Sequence, residues 1–229
     1  MSSLPSNVHV SQHPCLRAKV SQLRSQSTGA RDAKRLIHDI STMLGYEALG
    51  SALKSTQQGT DTSPLGYEFS VDAISPSHVS LVPILRSGLS MVDALLSVLP
   101  DPVPVFHLGM YREKTTLQPV EYYNNLPYHS ATTTSQQTTP SDTAILLDPI
   151  IATGATASAA IDTLKDWGVK RIVICSVLAS HEGLEKVSRV WQEGVEIWVG
   201  AVDAGTDAKG MIKPGLGDVG DRLFLTIGK

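Results

Sequence analysis

From Thr143 to Val202 the chain alternates short apolar runs with segments of helical period, and this alternation constrains the fold more than any other feature. Thr143 to Leu147 reads as an apolar strand, followed by a glycine-containing turn and a helix from about Thr156 to Trp167. That helix carries Ala157, Ala160, Ile161 and Leu164 on one face, and Gly168 stands where a helix stop belongs. A strand over Arg171 to Leu178, a helix over Glu182 to Trp191 with Leu184, Val187 and Trp191 on one face, and a strand over Val195 to Val202 continue the pattern. Strands that are apolar nearly throughout must be buried on both faces. The order therefore predicts an α/β fold whose parallel sheet is covered by helices. Val79 to Leu85 and Val103 to Leu108 read as two more of its strands.

Upstream, Leu16, Val20 and Leu23, then Leu36, Ile37, Ile40, Met43 and Leu44, recur at three- and four-residue intervals, which predicts helices between Leu16 and Leu53. The first dozen residues contain serine and proline and are expected to fray. Gln57 to Gly66 is polar and punctuated by glycine and proline, so a loop is expected there. Ser130 to Ser141 has almost no apolar content and is expected to be a mobile insertion. At roughly 150 residues per domain, 229 residues with no repeat predict a single core.

Composition excludes several classes of function. The formal charge of -3 argues against a protein whose main partner is a nucleic-acid backbone. The longest uninterrupted apolar stretches, such as Ile172 to Cys175 with Val177 to Ala179 just beyond Ser176, fall far short of the ~20 residues of a membrane-spanning helix. Neither a secretory nor a transit signal is visible at Met1 to Gln12, so the cytoplasm is the expected compartment. Two cysteines, Cys15 and Cys175, allow neither a disulfide framework nor a zinc site with paired ligands.

Ligands of open α/β sheets sit beyond the carboxyl ends of the strands. At those ends the sequence places Arg86, Asp148, His181 and Asp203. A lone histidine such as His181 reads as structural. The sharpest segment runs from Ile145 through Asp148 to Thr153-Gly154-Ala155-Thr156. A strand ends in a carboxylate, and a Thr-Gly-x-Thr turn then opens a helix whose first amides lack partners. Free amides, the helix dipole and two hydroxyls together favour a phosphate. Taken alone, the turn is equally a helix cap beside a solvent-facing aspartate. It is neither a Walker loop nor a dinucleotide fingerprint, because their glycine spacings are absent.

The segment resembles the phosphoribosyl-diphosphate motif of the type I phosphoribosyltransferases. Asp148-Pro149 with Ala152-Thr153-Gly154 is similar to the form found in uracil phosphoribosyltransferases, D-P-x-x-A-T-G-G-S/T, with Ala155 at the second glycine. Three further segments strengthen that resemblance. Val82 to Leu89, with Arg86 and Gly88, resembles the diphosphate loop. Gly109 to Glu113, followed by Leu117 to Tyr123 and Leu126-Pro127, resembles the hood over the substrate. Pro214 to Arg222 resembles the uracil-binding loop P-G-L-G-D-x-G-D-R. Just before that loop, Met211 stands where the family usually has tyrosine, and Lys213 is an unusual charge.

The resemblance implies a type I phosphoribosyltransferase fold in one domain, 1–229, with a mostly parallel central sheet flanked by helices. A mobile arm over 106–141 and a base-binding hood over 203–222 complete it. The implied reaction joins uracil to phosphoribosyl diphosphate, giving UMP and diphosphate. The resemblance assigns catalysis to Arg86, Arg112, Asp148 and Asp218. It assigns phosphoribosyl-diphosphate binding to these four and to Pro149, Ile150, Ile151, Ala152, Thr153, Gly154, Ala155 and Thr156. Uracil would meet Ile212, Gly217, Asp218 and Val219. Magnesium would be held mainly by the substrate's diphosphate and waters, with no metal site of the protein's own. GTP as an effector and a homodimer or homotetramer are further expectations. A regulatory nucleotide-binding protein, or a transferase for another base, is the competing reading.

Overall fold

A computed structural model describes residues 3–113, 116, 118–127 and 141–226. Seven strands form the main path of its sheet: β1 (Val8–Val10), β4 (Val79–Leu85), β5 (Leu108–Arg112), β6 (Pro119–Asn124), β7 (Thr143–Leu147), β9 (Arg171–Ser180) and β10 (Val195–Asp203). Their order is β1-β10-β9-β7-β4-β5-β6, and the short β8 (Ile150–Ile151) pairs with β9. All neighbours are parallel except β5 and β6. This is the mostly parallel sheet that the apolar strands predict.

The alternation of side chains explains why both faces need cover. Ile145 and Leu147 of β7, with Val173, Cys175 and Val177 of β9, enter one apolar cluster with α1 (Pro14–Arg24), α2 (Ala30–Ala52) and α3 (Leu89–Val98). Ala144 and Leu146, with Ile172 and Ile174, enter a second cluster with α4 (Ala155–Trp167) and α5 (His181–Ser188). Burial pushes the Cys175 thiol up to about 12, as befits a core residue. No helix among the described residues is long and apolar enough to cross a membrane.

The strand order also locates a crevice. From β4 the chain passes through α3 to β5 on one side, whereas β7 lies on the other side of β4 and leads on to β9 and β10. Connections thus diverge between β4 and β7. In open α/β sheets such a switch point opens a crevice at the carboxyl ends. Arg86 and Asp148 directly follow those two strands.

Several expectations need correction. Within the first dozen residues, Val8–Val10 form an edge strand in register with Ile197 to Val199. The Asn7 side-chain amide anchors it by donating to the carbonyls of Ser188 and Val195, each at 3.1 Å. Gln57 to Thr62, expected in a loop, belong instead to β2 (Lys54–Thr62), which pairs antiparallel with β3 (Glu68–Ser75). Every residue of β2 is exposed, so backbone pairing rather than burial defines the strand. The strand expected from Val103 begins only at Leu108, with a single bridge from Val105 to Leu81 before it. Helix α5 ends at Ser188, short of Trp191, where the chain turns toward β10. The low-complexity stretch 130–140 lies outside the described residues.

Candidate active site

A cleft of about 310 Å³ opens at the switch point. Its floor begins where β7 stops at Leu147. Asp148 is 7% exposed, and burial pushes its carboxyl up to about 7, opposed only in part by the Ile150 amide, which donates to it. The Pro149 carbonyl accepts from the amides of Val177 and Leu178 at 3.0 Å, tying the next residues to β9.

Gly154 then adopts φ +74° at the N-cap of α4, a conformation that suits glycine, and no side chain caps the helix. Thr153, Gly154, Ala155 and Thr156 all line the cleft. The first-turn amides of a 13-residue helix therefore lie at the cleft wall beside two hydroxyls, an arrangement that favours an anion.

The expected partners converge from three other segments. Arg86 lines the cleft from the end of β4. Its guanidinium lies 3.7 Å from Asp221 Oδ1 and 5.8 Å from the Phe224 ring centroid, so it bridges toward α6 (Val219–Phe224). Gly88 leaves this loop no room for a side chain, since a Cβ there would stand 2.5 Å from the Leu147 carbonyl oxygen. The hairpin of β5 and β6 contributes Met110, Tyr111 and Tyr122. Arg112 ends β5, and its side chain lies outside the described part of the structure.

The fourth side comes from the C-terminal segment. Ile212 of β12 (Ile212–Lys213), which pairs with β11 (Gly205–Thr206), and Gly217, Asp218 and Val219 beyond it reach the cleft. Gly217 has φ +79°, and Asp218 caps α6 by accepting from the Asp221 amide at 3.0 Å. Met211 also lines the cleft, whereas Lys213 is exposed and absent from its lining.

Two residues predicted at the ligand end do not join the cleft. Asp203 turns into a bidentate pair with Arg24, and its side chain is 8% exposed. His181 opens α5, with Nδ1 3.9 Å from Glu185 Oε1. Both border a second cavity near α1.

Ser180 was missed by sequence reading. Its hydroxyl donates to the Ala152 carbonyl at 2.5 Å and accepts from the Gly183 amide at 2.9 Å, so one side chain caps α5 and braces the turn ahead of α4. A serine just before a helix with Glu182 in its first turn signals the cap, but nothing local signals the second bond.

Comparison with known proteins agrees with this geometry. The uracil phosphoribosyltransferase family model matches residues 10–226. Among similar sequences, urg2 of Schizosaccharomyces pombe is 44% identical, covering 96% of this chain and 90% of its own. A uracil phosphoribosyltransferase of Desulfitobacterium hafniense is 39% identical, covering 96% of this chain and 98% of its own. The solved AQ2163 protein of Aquifex aeolicus superposes with a TM-score of 0.83 at 30% identity, covering 96% of this chain and 98% of that one. Matched by that family model over residues 10–226, and with the Thr153–Thr156 turn and the glycine-rich C-terminal loop in one cleft, the chain belongs to the uracil phosphoribosyltransferase family.

Proposed function

We propose that the protein transfers the phosphoribosyl group of phosphoribosyl diphosphate to uracil, giving UMP and diphosphate. One observation carries this reading. A single cleft brings the uncapped phosphate turn, Arg86 and Asp148 against a glycine-rich loop able to meet a flat base. Breaking the bond at the sugar's anomeric carbon builds positive charge on the ribose and negative charge on the departing diphosphate. Catalysis then needs position and electrostatics, with no covalent nucleophile.

In this reading Thr153 to Thr156 and the α4 amides hold the 5′-phosphate, with Pro149 to Ala152 shaping the turn. Asp148 accepts from the ribose hydroxyls. Arg86, joined by Arg112, meets the diphosphate, which would exchange Asp221 for a ligand of higher charge. Uracil lies along Ile212 and Gly217 to Val219, with the Met211 thioether available to its face.

Magnesium fits the donor set. Asp148 and Asp218 present carboxylates to one cleft, where they could meet the waters of an ion shared with the substrate's phosphates. When bound, the ion supplies charge neutralisation to the diphosphate.

The test is UMP formation from labelled uracil with phosphoribosyl diphosphate and magnesium, with and without GTP, beside a panel of other bases. UMP is expected as the main product. Folded protein that binds phosphoribosyl diphosphate yet makes no UMP would transfer the reading to another base or to a regulatory role.

The proposal includes a homo-oligomer, dimer or tetramer. The β2–β3 hairpin supports it, because a two-stranded hairpin is marginal by itself in water and this one carries exposed Leu65, Tyr67 and Phe69. Replacing these three with serine is expected to lower the mass seen by light scattering. An unchanged mass would remove the hairpin from that role.

A further inference from the structure

The loop that follows β12 is held in place by side chains that never reach the cleft. Arg24, the last residue of α1, forms a bidentate pair with Asp203 at the end of β10, with both contacts at 2.7 Å. Together they take both polar groups of a single residue, Gly215. Its amide donates to Asp203 Oδ2 at 3.0 Å, and its carbonyl accepts from Arg24 Nη1 at 2.8 Å. Gly215 is buried with φ +63°, and a Cβ there would sit 2.2 Å from the Ile212 carbonyl oxygen. The clip therefore grips the loop at its tightest point, between Ile212 and Gly217.

A second fastener lies one residue on. Arg222 Nη1 donates to the Leu216 carbonyl at 2.7 Å and to the Leu23 carbonyl at 2.8 Å. Its Nη2 reaches the carbonyls of Ser25 and Thr28 at 3.4 and 3.2 Å. The Leu23 carbonyl in the last turn of α1 and two carbonyls of the turn that follows it are thus engaged by a residue of the base-loop segment. Charge-assisted, forked hydrogen bonds of this kind fix position as well as supplying energy.

We propose that Arg24 and Asp203 are positioning residues for the base. They set the height of Ile212 and Gly217 over the cleft, so the end of α1 belongs to the base-recognition apparatus. The proposal rests on the transferase reading above, with uracil at this loop. Neither residue lines the cleft, so each acts through Gly215. The phosphate turn is braced by the Ser180 hydroxyl and Gly183 at the α5 start; Ser180 pairs with Asp203 in the sheet through backbone alone, so side-chain changes in the clip are expected to leave that brace in place.

The experiment measures KM for each substrate and the Kd for UMP in wild type, R24Q, R24K and D203N. Loss of a charged hydrogen bond predicts a rise in KM for uracil of roughly tenfold or more in R24Q and D203N. The KM for phosphoribosyl diphosphate is expected to stay within about twofold. R24K keeps the charge and loses the fork, so an intermediate KM for uracil is expected. If R24Q fails to fold, R24K and D203N carry the same test. Wild type forming UMP while every folded variant keeps its KM for uracil, or loses both substrates equally, would overturn the positioning role alone. Wild type forming no UMP would overturn the transferase reading and the clip's role with it.

Discussion

Asp148→Asn is expected to lower turnover about 100-fold while making the unliganded protein more heat-stable near pH 8. The first effect follows from loss of the charge, and the second from burial. An ordinary aspartate loses its proton near 3.8, and in this fold Asp148 does so near 7. Between these values the folded chain holds a proton that the unfolded chain has released. Stability therefore falls as pH rises through that window and levels off above it. At about 1.4 kcal/mol per pH unit the charged form costs a few kcal/mol above neutrality, and asparagine escapes that cost. The same charge is what ribose hydroxyls and a cation need, so the group is poised for ligand rather than for stability. In wild type the KM for phosphoribosyl diphosphate should rise as pH drops below about 7. UMP release and melting temperatures at pH 5 and pH 8 check the set. Near-normal turnover in the asparagine variant would remove Asp148 from the site, and an unaltered melting temperature at pH 8 would remove the stored cost.

Gly183→Ala should raise the KM for phosphoribosyl diphosphate more than tenfold with little change in the KM for uracil. A Cβ at position 183 would stand 2.3 Å from the Ala152 carbonyl oxygen. That atom belongs to backbone and cannot swing aside, so the phosphate turn itself must shift. Displacements of about 1 Å at a substrate-positioning element cost roughly 100-fold in favourable cases. Gly154 lies on the same seam, since a Cβ there would meet the Gly183 carbonyl oxygen at 2.8 Å. Ser180→Ala removes a cap and one brace without a clash, so a smaller effect in the same direction is expected. Calorimetric titration with phosphoribosyl diphosphate decides the matter. Wild-type affinity in Gly183→Ala would show that the turn does not depend on the α5 start.

The sheet was legible because β7, β9 and β10 are apolar almost throughout, and because Gly168 stops α4 where the periodicity ends. The phosphate turn was legible for a similar reason, since it lies within one strand-to-helix junction. The β2–β3 hairpin was not, because a strand whose side chains all face water leaves no hydrophobic period to read. Three residues at Val8 to Val10 are likewise too few to show alternation, and the strand exists because the edge of β10 was free to pair. Asp203 was placed at the right end of the right strand, but its partner lies 179 positions away in sequence, and no local pattern reports such a bond. The four-way convergence in the cleft became readable only through motif resemblance, segment by segment. Tyr122 was reached only as part of the hood segment, and Ser180, which carries no glycine-rich signature, stayed hidden.

The fastening of Gly215 to Arg24 spans 191 positions, and that of Arg222 to Leu23 spans 199. During synthesis α1 leaves the ribosome early and waits for almost the whole chain before its last turn is occupied. On the proposed assignment, the 5′-phosphate turn is braced by bonds within 148–183, whereas the base loop is fastened only when 203–222 have docked. If that assignment holds, the means of choosing an acceptor is fastened later in synthesis than the hold on the 5′-phosphate.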